Sequence, residues 1–113
     1  MTTENLVAEI TTVLNAKKAQ DVIKINVTEK TSVADYFIIA SGRTTNQVRA
    51  LAEHVEEAVE KAFNLNVRRR EGVTDGRWAV LDYGDVVVHI FNDEQRLFYH
   101  LERLWGEGER VEG

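Results

Sequence analysis

No cysteine occurs in the 113-residue chain, so it has no disulfide framework and no thiolate metal site. There is no proline, no repeat and no linker-like stretch either, and nothing divides the chain into parts. No apolar run approaches the ~20 residues that span a bilayer. The polar start MTTENL carries neither the basic nor the apolar region of a signal peptide, so a soluble, cytoplasmic protein is expected. Basic residues are also in deficit: 14 Lys and Arg stand against 19 Asp and Glu, a net charge of −5. General nucleic-acid binders carry the opposite balance, because phosphate neutralisation supplies most of their non-specific affinity. An acidic chain suits a basic protein partner, since complementary charge steers encounter.

With 43% hydrophobic and 29% charged residues, the composition is that of a globular chain and not a disordered one. The length suits one domain that buries roughly two-thirds of its unfolded surface. Leu6, Val7, Ile10, Val13 and Leu14 repeat at helical spacing. Residues 21–28 (DVIKINVT) are β-branched, with Ile23, Ile25 and Val27 alternating, and predict a strand. Residues 36–40 (YFIIA) form a short continuous apolar run, as in a strand buried on both faces.

Ser41-Gly42-Arg43 is expected to break that strand before a long helix. Thr44 and Gln47 have capping-box spacing, and Val48, Leu51, Ala52, Val55, Val59 and Phe63 form an apolar stripe. A strand, helix and second strand in this order imply a parallel crossover. Residues 66–71 (NVRRRE) predict a short basic edge strand. Residues 78–83 and 86–91 predict two more strands, joined by Gly84-Asp85 in a type II′ hairpin. Leu97, Phe98, Leu101, Leu104 and Trp105 again repeat at helical spacing. The order is αββαβββα: a single mixed α/β domain over residues 1–105, with a sheet of about five strands flanked by helices. Residues 106–113 (GEGERVEG) are expected to form a flexible acidic tail.

If Gly84-Asp85 is the turn, Tyr83 faces Val86 and the pairing runs back regularly. Tyr83, Leu81, Ala79, Val86, Val88 and Ile90 then share a core face. Asp82, Val80, Trp78, Val87, His89 and Phe91 share the other, which mixes aromatics with an acid and an imidazole. Such a face is either covered by a helix, with Trp78 in the core, or it forms a docking patch around Trp78, Asp82 and the Tyr83–Asp85 rim. Composition does not separate the two.

The stretch Asp35-Tyr36-Phe37-Ile38-Ile39-Ala40-Ser41-Gly42 followed by Gln47-Val48 resembles the first signature of the ribosomal silencing factor family, which is Iojap-related. Trp78 through Leu81-Asp82-Tyr83-Gly84-Asp85, then Val88-His89-Ile90-Phe91, is similar to its second. Arg96, Tyr99, Leu101-Glu102 and Leu104-Trp105 match the closing pattern. The resemblance runs through about residues 4–105; the arginines at 68–70 and the tail are no part of it.

It implies a regulator without catalytic residues, metal or cofactor. Such a protein binds the large ribosomal subunit through its fourteenth protein and sterically blocks association with the small subunit, which represses translation. It also implies a fold distantly similar to nucleotidyltransferases, and a homodimer when free. The partner-binding candidates carried over are Trp78, Leu81, Asp82, Tyr83 and Asp85, with His89 and Phe91 as support. The core-face register of Leu81 and Tyr83 conflicts with direct contact unless a bulge re-aims them or the tip exposes Tyr83.

Other chemistries are weaker. A nucleotidyltransferase needs converging carboxylates on metal ions, and Asp82 and Asp85 straddle a tight turn. Ser41-Gly42 before a helix is as well explained by a strand-to-helix turn. His54, His89 and His100 fall on different elements, without partners at ligand spacing. Ser41, His89 and Asp82 form a triad on paper only, with no nucleophile elbow. Arg68, Arg69, Arg70 and Arg77 allow a peripheral RNA contact but suggest no sequence-specific nucleic-acid recognition.

Overall fold

The computed structural model describes residues 2–29, 31–32, 34–93 and 109–110. The helix expected around Leu97 to Trp105 lies outside these residues. Helix α1 (Thr3–Ala16) starts at Thr2, whose hydroxyl oxygen accepts the Asn5 N–H at 3.1 Å. It buries Leu6, Val7, Ile10 and Leu14, the stripe visible in the sequence. Lys18 and Asp21 adopt left-handed backbone conformations (φ 66° and 49°) on the way into strand β1 (Gln20–Asn26). The register of β1 shifts between Gln20 and Ile23. Strand alternation puts Val22 in the core beneath the helices, while Ile23, Ile25 and Val27 pack on the opposite side of the sheet.

Strand β2 (Tyr36–Gly42) is longer than its apolar run. Parallel pairing with β5 carries it through Ser41 opposite Phe91 and Gly42 opposite Asn92, so the break expected at Ser41 falls after Gly42. Helix α2 (Thr45–Phe63) is capped by Thr44, whose hydroxyl accepts the Gln47 N–H at 3.0 Å. The reciprocal bond is displaced by one residue: Gln47 Oε1 accepts the N–H of Arg43, at 2.6 Å. Asn64, in the left-handed region, ends the helix.

Strands β3 (Arg69–Glu71), β4 (Trp78–Asp82) and β5 (Val86–Asn92) complete the main sheet. The two-residue strand β6 (Glu109–Arg110) extends it, in the order β3-β4-β5-β2-β1-β6. β2 and β5 are parallel and β3, β4 and β5 pair antiparallel, so β2–α2–β3 is a parallel crossover passing over β5 and β4. β3 is an exposed edge of three charged residues, as expected though shorter. The tail departs from expectation at one place. Glu109 and Arg110 pair with Lys24 and Ile23, where the open edge of β1 supplies unpaired backbone groups.

The result is a mixed α+β sheet with an apolar cluster on each face. One gathers Ile10, Leu14, Leu51, Val55, Leu81, Val88 and Ile90 between the sheet and α1 and α2. The other gathers Ile25, Val27, Phe37, Ile39, Val87 and Phe91, flanked by partly buried Ile23, Trp78 and Val80.

Candidate docking site on the β4–β5 hairpin

The hairpin has the register its turn dictates. Trp78 lies opposite Phe91, Val80 opposite His89 and Asp82 opposite Val87, with no shift along the pair. Gly84 takes φ +90°, the conformation a side chain resists, and the Tyr83 N–H donates to the Val86 carbonyl at 2.9 Å. Asp82 Oδ1 accepts the Gly84 N–H at 2.7 Å, which fixes the carboxylate against the turn. The tip is tied to the body by the Asp85 carbonyl, which accepts the N–H groups of Asp35 (2.8 Å) and Tyr36 (3.0 Å).

Trp78 is held from two sides. Its ring stacks on Phe91 with centroids 5.0 Å apart and planes 24° apart. Its indole N–H donates to Nδ1 of His89 at 3.1 Å. An indole only donates, so Nδ1 must be an unprotonated acceptor and the imidazole proton sits on Nε2. His89 also meets the edge of Phe37, at 5.2 Å between ring centroids. Only 8% of His89 is exposed, and this burial lowers its pKa from 6.5 to about 4, so the ring is neutral at physiological pH. Its Nε2 is buried without a hydrogen-bond partner among the described residues.

The candidate residues divide into two groups. Trp78 and Asp82 are half-buried on the face away from α1 and α2, and Asp85 is exposed at the tip. His89 and Phe91 are buried beneath Trp78 and support it. Leu81 and Tyr83 point to the helix side, at 0% and 6% exposure. No bulge re-aims them and the tip leaves Tyr83 covered, so in this structure both are core residues. Alternation in a regular pair requires this. The Tyr83 hydroxyl is buried without a hydrogen-bond partner among the described residues, and burial, followed by the nearby Glu56 charge, pushes its pKa up.

Three residues outside the candidate set share the exposed face. Val80 lies between Trp78 and Asp82, and Arg69 and Glu71 on β3 lie opposite Asp82 and Val80. The period-two pattern marks Val80; the β3 register had no turn residue to fix it. Arg70 faces the other way and donates to Glu56 of α2 at 2.9 Å. The Ser41, His89 and Asp82 triad is not assembled, because His89 Nδ1 is occupied by Trp78 and Asp82 by Gly84. His54 sits on α2 and His89 in β5, while His100 lies outside the described residues. Among the described residues no helix is long and apolar enough to cross a membrane.

An α+β domain with a mixed sheet and an acid-and-aromatic hairpin face is thus the class that fold and site define. Residues 1–113 match the family described as "Ribosomal silencing factor during starvation". The chain is 34% identical over 112 residues to the ribosomal silencing factor RsfS of Halalkalibacterium halodurans, covering 99% of this chain and 95% of that one. It is 39% identical over 106 residues to RsfS of Zymomonas mobilis, covering 94% and 79%. A crystal structure of a Chromobacterium violaceum protein superposes with a TM-score of 0.91 at 30% identity, covering 100% of this chain and 93% of that one. The chain belongs to the ribosomal silencing factor family.

Proposed function

We propose that this protein docks on the large ribosomal subunit, through the subunit's fourteenth protein, and blocks joining of the small subunit, so that translation is repressed without any catalytic step. The observation that carries this reading is the half-exposed face of Trp78, Val80 and Asp82, continued by Asp85 at the tip and held in one conformation from behind. An aromatic anchor with a low entropy cost, rimmed by carboxylates, fits a basic protein surface. Leu81 and Tyr83 contribute by holding β4 flat against the helices. The reading places the protein in the cytoplasm and, when it is free, in a homodimer. No bound cofactor enters the proposal.

Cosedimentation with isolated large and small subunits tests it. The protein should pellet with large subunits and not with small ones, and Asp82→Lys should abolish pelleting. Equal pelleting with both, or with neither, contradicts the proposal.

A further inference from the structure

Among the described residues, the end of the domain next to Trp78 carries a charge opposite to that of the whole chain. Lys17 and Lys18 follow α1, Arg43 precedes α2, Arg49 lies on its second turn, and Arg77 directly precedes Trp78. Hydrogen bonds bring these segments together. The Gln47 side-chain amide donates to the Lys18 carbonyl at 3.4 Å, Arg49 Nη1 donates to the Thr74 carbonyl at 3.0 Å, and the Asn92 N–H donates to the Arg77 carbonyl at 2.9 Å. The cations outnumber the acids on the same segments, which are Asp21, Asp75 and Asp93.

Four of the chain's arginines are held in two different ways. Arg70 is paired with Glu56 at 2.9 Å and Arg77 with Asp75 at 2.7 Å, so their charge is largely neutralised. Arg43 and Arg49 are ordered by neutral acceptors instead. Turned with its oxygen toward Arg43, the Gln20 amide accepts from Nε at 2.6 Å and Nη2 at 3.0 Å. Arg49 donates to the Thr74 carbonyl and to Asn46 Oδ1. Neither guanidinium has a carboxylate partner among the described residues. Holding an arginine this way removes part of its conformational entropy and leaves its full charge available, which suits contact with phosphate oxygens.

We infer that this basic end, centred on Arg43 and Arg49 with Lys17 and Lys18, contacts the phosphate backbone of ribosomal RNA beside the docked hairpin. The inference rests on the docking proposed above. It adds a second partner, of different chemistry, on a surface that continues from Trp78 through Arg77. RNA is favoured over an acidic protein because fixed, un-neutralised guanidinium groups match a regular array of phosphates, whereas the rest of this acidic chain repels RNA and leaves the contact confined to this end. No base reading is involved.

The test measures affinity for isolated large subunits across a salt series, together with hydroxyl-radical footprinting of the subunit RNA. Arg43→Gln combined with Arg49→Gln should weaken binding about tenfold near physiological salt and flatten the log–log salt slope by about 0.9 for each phosphate contact removed. It should also abolish a short RNA protection that the wild type produces. Lys17→Gln with Lys18→Gln, whose side chains make no hydrogen bonds among the described residues, should act in the same direction and guards against a folding defect. Trp78→Ala should weaken binding with the slope kept. Wild-type affinity, slope and footprint in both multiple variants would overturn the inference and leave the docking intact. A flattened slope with no RNA protection in the wild type would assign the patch to an acidic protein, and so also overturn it. Failure of the wild type to bind large subunits at all would instead remove the docking, and the inference with it.

Discussion

Trp78 and His89 are joined by an indole N–H to Nδ1 hydrogen bond of 3.1 Å across neighbouring strands. The bond ties a buried imidazole to the half-exposed Trp78: neutral His89 is the acceptor that holds the indole above Phe91. Protonation of His89 at Nδ1 would remove that acceptor and place a charge in an apolar cluster.

This coupling predicts a pH dependence of stability. The folded state holds His89 neutral down to about pH 4, whereas an unfolded chain takes up the proton near the ordinary value of 6.5. Between those values the unfolded state binds more protons, so stability falls as pH drops, by up to about 3 kcal/mol from this group, and is fully regained above about pH 6.5. His89→Asn, which keeps an acceptor near the indole, should remove this part of the slope. Urea unfolding of both proteins at about pH 7 and about pH 4.5 measures it. An identical pH slope in the two would contradict the burial argument.

Tyr83 offers a contrast between ring and hydroxyl. Its ring is part of the helix-side core, while its hydroxyl is buried without a partner among the described residues. Tyr83→Phe should therefore leave stability unchanged or raise it by up to about 1 kcal/mol, because an unsatisfied polar group is lost. Tyr83→Ala should cost about 3–5 kcal/mol by opening a cavity. Thermal or urea unfolding distinguishes them; a large loss in Tyr83→Phe would mean that the hydroxyl has an acceptor.

Gly72 positions the start of β4. It has φ +70°, and a Cβ there would lie 2.0 Å from the Trp78 carbonyl oxygen, a clash with backbone that no rotamer relieves. Gly72→Ala should cost at least about 2 kcal/mol and shift the indole N–H resonance of Trp78. Gly84→Ala should be milder, since the nearest obstacle is the far end of the Arg68 side chain. Equal stability of Gly72→Ala and wild type would show that the loop yields.

Much of this architecture was legible in the sequence where local chemistry determined it. Gly84-Asp85 set the hairpin register, and with it the division of Leu81, Tyr83 and Val88 from Trp78, Val80 and His89. The apolar stripes of α1 and α2 were likewise plain from their spacing. What escaped depended on distant partners. Ser41 and Gly42 look like a strand end until β5 is laid beside them, and Glu109 and Arg110 have no strand signal of their own before β1 offers an edge. The core explanation of Trp78 holds only in part, because the ring is stacked and hydrogen-bonded yet half-exposed. The core-face register of Leu81 and Tyr83 was also legible, and both do face the helices.

The most direct measurement of the central proposal is subunit joining in a reconstituted mixture of large and small subunits, titrated with the wild-type protein, Asp82→Asn, Asp82→Lys and Trp78→Ala. Asp82→Asn retains an acceptor for the Gly84 N–H and removes only the charge, so it separates the turn from the contact. The wild type should block joining. Trp78→Ala should need about thirtyfold more protein, matching the ~2 kcal/mol of a buried aromatic anchor. Asp82→Asn should weaken the block modestly and in a salt-dependent way, and Asp82→Lys should remove it. If Asp82→Lys and Trp78→Ala, both shown to be folded, still block joining as fully as the wild type, the β4–β5 hairpin is not the docking surface.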